Sequence, residues 1–467
     1  MHVLNTIFLT AVLILPLATT QTGCSLRAQT PYTPPQADLP HQWAGQAAAT
    51  SQESKQAWWL RFNDPQLNQL VETVQQHNLD LATASLTLRK ALLQAEMAES
   101  DRLPSTNIGG SLGISRELGG SNSGESRSFA ASGTVSYELD LWGKLADTAE
   151  AAHWEARATA EDKASLSLSL IGSTADTYWQ LAYLNQRIDL STASIAYARQ
   201  TLTLVQVQKE AGAATELEIL EAKRSLASQE ASHALLLQQR VEARNTLALL
   251  MGGAPERPDL PEPRSLHKEN IPDIATGLPA ALLARRPDLR AAEARIRSAL
   301  AATNAAQASM YPAISLTGSL GDASDDLSRL LSNPVAALAA EIALPFVQWR
   351  DVRRTIKISE TEYEQMVLAF KKALYTALAE VENSLSARKQ YRQQEEKLVL
   401  TLQTARQTEA LYQVRYRAGG SPLKSWLDAQ ENRRQAEVAL AENRLNQLQN
   451  YITLAKALGG DPVSTQN

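Results

Sequence analysis

The sequence has 467 residues, with 45 basic and 50 acidic side chains and a formal net charge of −5. A mildly acidic chain offers no basic surface for nucleic acid, so no nucleic-acid partner is expected. Beyond residue 20 it contains no uncharged apolar run of about 20 residues, which excludes a helical transporter. Transmembrane strands are not excluded, because alternating residues leave little mean hydropathy.

Residues 1–23 have the pattern of a secretory signal peptide. An apolar stretch in their middle is too short to span a bilayer and leads to small residues that end at Gly23. Cys24, the single cysteine, follows directly, as in bacterial lipoprotein signals, where the cysteine sulfur receives a lipid. Gln21 departs from that pattern, so cleavage elsewhere, with Cys24 discarded or left free, stays open. The pattern predicts a covalent lipid on Cys24 and no other cofactor.

Most of the remaining sequence consists of two similar, consecutive repeats. HNLDLATA resembles RPDLRAAE, KEAGAATELEILEAKRSL resembles YRAGGSPLKSWLDAQENR, and NTLALLMGG resembles YITLAKALGG, in the same order. Ordered recurrence over about 200 residues indicates two tandem structural repeats. The predicted organisation is an extended proline-rich strap over 24–60, a first repeat over 61–254, a linker over 255–278, a second repeat over 279–460 and a tail over 461–467.

Two segments in each repeat alternate between apolar and small or polar residues, as in SFAASGTVSYELDLW. Alternating segments of about ten residues can cross a membrane as tilted strands, although a soluble sheet with one buried face has the same period. Aromatic residues near the segment ends fit a membrane–water interface. The strands are predicted at about 105–117, 128–141, 312–321 and 335–346, and the interfacial aromatic residues are Tyr137, Trp142, Tyr311 and Trp349.

Helices are predicted on both sides of these strands. One helix opens each repeat, over about 65–100 and 287–310. After the strands, 145–211 contains one glycine and 348–418 none, and neither contains proline. Apolar residues there step by three and four, as in a coiled coil. Each long helix should end at a glycine turn and be followed by a returning helix.

Four strands cannot close a barrel alone. In lipid, an open strand edge leaves backbone groups unpaired at high cost, so transmembrane strands would require several copies to share one barrel. Three copies would give twelve strands, wide enough for a water-filled lumen, whereas two would give eight strands and a filled interior. The long helices of three copies would then continue as a helical tube.

Several segments resemble those of a known family, the TolC-type outer-membrane efflux proteins, and most closely its OprM/NodT-like lipoprotein branch. The resemblance covers essentially the whole mature chain. It implies an α+β membrane protein, a homotrimer sharing a twelve-stranded barrel with four strands per chain, continued by a long periplasmic α-helical barrel. The similar segments are WWLRFNDPQLNQLVETVQQHNLDL, SYELDLWGK, ARRPDLRAAEARI and RAGGSPLKSWLDAQENR.

The resemblance also implies a function and partners. It predicts a passive exit duct in the outer membrane of a Gram-negative bacterium, held by lipid and exporting small molecules such as drugs, toxic compounds or metal ions. A periplasmic adaptor and an inner-membrane pump are the expected partners. A type I protein secretion channel and a periplasmic coiled-coil scaffold without a pore remain as alternatives. An enzyme is not expected, because no catalytic constellation is present, and dispersed histidines predict no metal site.

The resemblance places a charged aperture at the periplasmic end of the duct. Asp428 matches a ring acid of the family, and Glu221 stands 207 residues earlier in the first repeat. Lys424 and Glu431 replace the leucine and arginine usual nearby, while Arg224 occupies the first-repeat position of Glu431. Lys424 lies one helical turn from Asp428 and could neutralise it. Closure by salt bridges, closure by a hydrophobic constriction and a merely solvated helix face therefore all stay open.

Three glycines mark the two turns between the long and returning helices. Gly212 is in the first repeat, and Gly419 and Gly420 are in the second. Glycine permits the left-handed conformation that commonly ends a helix. The resemblance adds that these tips are where the adaptor docks.

Overall fold

The computed structural model describes residues 30–44, 57–116, 125–255, 260–266, 271–272, 274 and 279–460. The predicted signal peptide, Cys24 and the tail lie outside these ranges, as do parts of the strap and linker. The helices are α1 Pro65–His77, α2 Leu79–Ser100, α3 Lys144–Glu210, α4 Glu216–Leu250, α5 Leu282–Arg285, α6 Pro287–Ala308, α7 Trp349–Arg417 and α8 Leu423–Ala457. The strands are β1 Ser105–Arg116, β2 Glu125–Leu139, β3 Ala313–Ser324 and β4 Val335–Ala343.

The chain divides into two compact units. The strand unit contains Gln94–Ala152 and Arg297–Tyr363, and therefore the whole sheet. The helical unit contains the described parts of Pro34–Leu93, His153–Ile296 and Glu364–Asn467, and therefore both helical hairpins.

The four strands form one antiparallel sheet in the order β1-β2-β3-β4. In its register, Ile108 stands opposite Gly133, Gly133 opposite Leu320 and Leu320 opposite Ala336. The alternating apolar and polar positions of neighbouring strands are therefore in phase. Directly opposed residues share a face, so most of the large apolar residues of the four strands lie on one side and most of the serines and threonines on the other. β1 and β4 are the free edges, and β4 is exposed along its whole length.

The opening helix of the first repeat is not continuous, which corrects the prediction of one helix over 65–100. Asn78 is extended and separates α1 from α2. Its side-chain oxygen accepts from the Leu81 N–H at 3.0 Å, and its amide donates to the Leu250 carbonyl at 2.8 Å. Asn78 thus caps α2 and ties it to the end of α4. Asparagine side chains readily bond nearby backbone groups in this way, which favours a helix end over a continuous helix.

The helical unit has an aromatic core at the start of α1. Phe62 packs edge-on against Trp179 of α3 and Tyr451 of α8, with ring centroids 5.5 and 4.9 Å apart. Asp64 caps α1 by accepting from two backbone N–H groups and also accepts from the Tyr178 hydroxyl at 2.8 Å. The core therefore joins the start of the first repeat to α3 and to α8 of the second repeat, and each fully buried aromatic ring contributes about 2–3 kcal/mol.

Candidate functional site: the hairpin tips and the strand-unit aromatics

The first tip, residues 208–218, joins α3 to α4. Gly212 has φ +75°, and the Ala213 N–H donates to the Gln208 carbonyl at 2.7 Å to close α3. Thr215 caps α4 in a capping box with Glu218, in which each side chain accepts from the other residue's N–H. The first tip is thus held by local hydrogen bonds.

The second tip, residues 415–424, joins α7 to α8 and lacks the capping box of the first tip. Gly419 has φ +73°, and the Gly420 N–H donates to the Arg415 carbonyl at 2.8 Å. Gly420 does not have a positive φ, so only Gly419 needs to be glycine for its conformation. Pro422 precedes α8 and supplies no side-chain cap. Both turns lie where the glycines predict them, while adaptor docking stays a prediction.

An apolar cluster packs the two tips together. Trp426 is 1% exposed, and its ring centroid lies 5.4 Å from that of Tyr416. The Tyr416 hydroxyl donates to the Gln208 side-chain oxygen at 2.7 Å and so joins α7 to α3. We call this group the tip cluster; its buried members are Val205, Ile219, Ala222, Tyr416, Leu423 and Trp426.

The predicted aperture residues of the second repeat form a charged stripe on α8. The Lys424 ammonium lies 2.8 Å from the Asp428 carboxylate, and both side chains are exposed. Glu431 accepts two hydrogen bonds from Arg434, at 2.8 and 2.5 Å, which hold the pKa of the Glu431 carboxyl below its usual value. Each acid of the stripe is therefore matched by a cation of the same helix.

The predicted aperture residues of the first repeat are arranged differently. Glu221 is half-buried and Arg224 is exposed, both on α4. Among the described residues, neither has an ion-pair partner, and the structure does not bring them to the charged stripe of α8. The two repeats thus place unlike electrostatic patterns at equivalent positions.

The sequence did not predict a more buried ion network between α7 and α8. Arg433 pairs with Glu409 and lies 2.8 Å from Glu437, which Arg406 also contacts at 3.1 Å. Burial opposes the charge of Arg433, but Glu409 and Glu437 outweigh it and raise the pKa of its guanidinium. A signal was present: Arg406 and Glu409 precede the glycine turn and Arg433 and Glu437 follow it, so opposite charges stand on the two arms of the predicted hairpin.

The four predicted interfacial aromatic residues all lie in the strand unit but in different surroundings. Trp142 stacks on Tyr311, with centroids 4.8 Å apart, and its indole N–H donates to the Pro312 carbonyl at 2.7 Å. Tyr137 is half-buried within β2. Trp349 is 49% exposed. The Arg350 and Arg353 guanidinium carbons lie 5.6 and 5.3 Å from the centroid of its ring.

The sequence and fold match known proteins over nearly their whole length. The family model of the outer membrane efflux protein matches residues 70–253 and 278–460. The pyoverdine export outer membrane protein OpmQ of Pseudomonas putida is 32% identical over 460 residues, 96% of each chain. The probable efflux pump outer membrane protein TtgC of the same species is 30% identical over 452 residues, 94% of this chain and 93% of that protein.

A solved structure has the same fold. The open state of the Neisseria gonorrhoeae MtrE outer membrane channel superposes with a TM-score of 0.80 at 27% identity, covering 93% of this chain and 98% of that one. A chain with one four-stranded sheet and two long helical hairpins therefore has the fold of a channel protein. The chain belongs to the outer membrane efflux protein family, whose members are transport channels of the Gram-negative outer membrane. The predicted family, fold class and efflux function are confirmed.

Two further observations concern the described residues alone. No helix there combines the length and the apolar character that crossing a membrane requires. In the same ranges, no group of three histidine, cysteine, aspartate or glutamate side chains could hold a metal ion.

Proposed function

We propose that this chain is the outer-membrane exit duct of a tripartite efflux pump. The observation that carries the proposal is the sheet, in which four strands share one apolar face and leave two edges open. Three copies paired edge to edge would give twelve strands with the apolar face towards lipid and the polar face towards a water-filled lumen. The duct itself performs no covalent chemistry.

The partners and cargo follow from the relatives. Proteins similar over the whole chain are named for an efflux pump and for pyoverdine export. We infer that a periplasmic adaptor and an inner-membrane pump deliver small molecules to this duct, with the adaptor at the two hairpin tips. Choice of cargo then rests with the pump, because a lumen lined by serine and threonine discriminates little.

We propose that the α8 stripe controls the periplasmic aperture. Three Asp428 carboxylates around one axis would repel one another and favour an open tip. Lys424, 2.8 Å from Asp428, reduces that repulsion. Closure by matched charges is therefore favoured over a hydrophobic constriction in this chain.

We propose that Cys24 carries lipid as the first residue of the mature chain. Each buried methylene adds about 0.8 kcal/mol of membrane affinity, so acyl chains would supplement the hold of the barrel. Cells fed radioactive palmitate should label the wild type and not Cys24→Ser, while the variant still forms trimers in the outer membrane. Equal labelling of both, or loss of trimers, would refute this role.

The duct is tested by fractionating cell envelopes by density and running the outer-membrane fraction unheated on a denaturing gel. We expect a heat-sensitive band near three times the 50.9 kDa mass of the chain. Deletion of the gene should also raise susceptibility to small toxic compounds. Protein found only in the soluble periplasmic fraction would refute the proposal. Loss of a secreted protein after gene deletion, without any change in susceptibility, would indicate type I secretion.

A further inference from the structure

Two arginines at the start of α7 have no acidic partner. Arg350 and Arg353 are exposed, and among the described residues neither forms an ion pair. Their neighbour Arg354 is matched by Asp351 at 3.2 Å. The two unmatched guanidinium groups lie beside the exposed Trp349 ring, 5.6 and 5.3 Å from its centroid. We call these two arginines and this tryptophan the basic surface.

The basic surface continues the apolar face of the sheet. Leu338 and Ile342 of β4 lie on that face and are 85% and 60% exposed. Phe346 and Val347, between β4 and α7, are also exposed. In the proposed barrel the apolar face is turned towards lipid, and the helices are periplasmic. The basic surface therefore stands at the periplasmic end of the strands, where hydrocarbon gives way to headgroups.

The first repeat shows that a junction of this kind forms without the arginines. A tryptophan leads into the long helix in both repeats, but Gly143 and Ala146 stand 207 residues before Arg350 and Arg353. Cations are also unfavourable in the first turn of a helix, because its N-terminal end carries partial positive charge. The fold alone therefore does not account for the two arginines, which favours a role in binding.

We propose that the basic surface binds the phosphate of an anionic phospholipid in the periplasmic leaflet of the outer membrane. Guanidinium groups donate paired hydrogen bonds to phosphate oxygens, and two unmatched positive charges favour a headgroup with net negative charge. The Trp349 ring then lies at headgroup level, and the exposed apolar residues of β4 contact the acyl chains. The proposal rests on the proposed duct, which places the sheet in the membrane.

A neighbouring copy is the other source of negative charge. The end of α2, which leads to the opposite edge of the sheet, exposes Glu96, Glu99 and Asp101. Arg102 pairs there with Glu99 at 2.6 Å, which leaves the other two acids. Carboxylates match only the charge of the basic surface, whereas a phospholipid supplies both a phosphate and acyl chains for the adjoining apolar face. Lipid is therefore the favoured occupant.

Native mass spectrometry of the purified trimer tests the site directly. Phosphatidylglycerol should bind the wild type more tightly than zwitterionic phosphatidylcholine does. Arg350→Gln with Arg353→Gln should weaken phosphatidylglycerol binding by at least about tenfold. The control, Arg127→Gln with Arg329→Gln, removes two arginines from the other end of the sheet, each paired with an acid of its own chain. It should bind the lipid as the wild type does.

Three results of this titration would overturn the lipid site. They are equal affinity of the wild type for the two lipids, unchanged binding by the double variant, and an equal loss in the control, which would indicate attraction by net charge alone. Displacement of the lipid by an equal concentration of inorganic phosphate would also overturn it, because the surface would then bind anions without recognising lipid. Absence of wild-type trimers would instead refute the duct.

Heat stability separates lipid from a neighbouring copy. Wild-type trimers should dissociate at a higher temperature in bilayers that contain phosphatidylglycerol than in phosphatidylcholine alone, and Arg350→Gln with Arg353→Gln should abolish this difference. If carboxylates of a neighbouring copy hold the arginines, the double variant should dissociate at a lower temperature in both bilayers. Glu96→Gln with Asp101→Asn should then do the same. That pattern would overturn the lipid site and leave the duct intact.

Discussion

The two helical hairpins share one fold but are stabilised by different means at equivalent positions, 207 residues apart. Glu409 and Arg433 of the second hairpin form a buried ion pair where the first hairpin has Leu202 and Leu226. Leu202 packs against the tip cluster. The repeat therefore has apolar residues in one hairpin where the other has an ion pair.

Local structure differs in the same way. Thr215 caps α4, but its counterpart Pro422 has no side chain that can cap α8. At the second tip, Trp426 is buried against Tyr416 of the same hairpin and Tyr197 of the first hairpin. The first tip therefore has capping hydrogen bonds that the second lacks, while the tip cluster packs against both.

The largest loss of stability is expected when one member of the buried ion pair is replaced. Arg433→Leu leaves the Glu409 carboxylate, whose side chain is 10% exposed, without its cation. Breaking a buried pair costs about 3–5 kcal/mol, whereas replacing both members by apolar residues is often neutral or stabilising. Arg433→Leu with Glu409→Leu installs the residues of the first hairpin and should recover most of the loss. Thermal unfolding of the purified protein measures both.

A double variant no more stable than Arg433→Leu would contradict this account. It would mean that the ion pair fixes the packing of α7 against α8 in a way that leucine cannot replace. Arg199→Leu provides the control, since that arginine forms only an exposed pair with Glu230 in the first hairpin. Its removal should cost less than about 1 kcal/mol.

The next largest effect is a pH dependence of stability that the first hairpin has and the second lacks. Asp176 of α3 has the counterpart Asn383 in α7. Burial raises the pKa of the Asp176 carboxyl to about 6, although Lys456 partly opposes the shift. The folded state therefore binds more protons than the unfolded state between about pH 4 and 6, and stability contributed by protonated Asp176 is lost as pH rises through that window.

Asp176→Asn should remove this dependence. The variant should be more stable than the wild type at pH 7, by on the order of 2 kcal/mol, and similar to it at pH 4. Melting temperatures across this range provide the measurement. Asn383→Asp is the matched control and should have little effect, because Asn383 is exposed. A variant equal to the wild type at every pH would show that the carboxylate is solvated when folded.

Features that depend on residues near in sequence could be predicted from the sequence, whereas features that depend on distant residues could not. The strands and glycine turns were predictable because alternation and left-handed glycines are local signals. The predicted end of the last strand, near 346, was too late, since Pro345 begins a short 3₁₀ turn and cannot donate to a ladder. The break at Asn78 was missed because it depends on the Leu250 carbonyl, 172 residues away.

The site was less predictable than the fold for a similar reason. Lys424 and Asp428 lie one turn apart on one helix, so their pairing followed from spacing. The pairing of Arg433 with Glu409 requires the register between two helices, which composition does not contain. Only the opposite charges of Glu409 and Arg433 on the two arms of the predicted hairpin could have indicated it.

A smaller effect tests the difference between the caps. Thr215→Ala removes the side-chain acceptor of the first tip and should cost about 1 kcal/mol, whereas Thr215→Ser should retain the cap. Hydrogen exchange of the first-turn amides of α4 should accelerate in the alanine variant, with α8 unchanged. Equal exchange in all three proteins would mean that the tip cluster, rather than the cap, holds this end of the helix.

The smallest stability effect is expected at the charged stripe, where the functional effect should be clearest. Lys424→Leu installs the residue of the first repeat, Leu217, and removes an exposed ion pair worth less than about 0.5 kcal/mol. Melting should therefore hardly change. With Asp428 no longer matched, repulsion between copies should widen the aperture, so conductance in planar bilayers should rise at low salt and approach the wild-type value at high salt.

Lys389→Leu removes another exposed lysine, on α7, and controls for lost positive charge. It should leave conductance unchanged at both salt concentrations. If Lys424→Leu behaves like this control, the pair is an ordinary solvated surface pair and the aperture closes by other contacts. If conductance rises only in Lys424→Leu, the second hairpin controls the aperture electrostatically, a role that Leu217 cannot perform in the first.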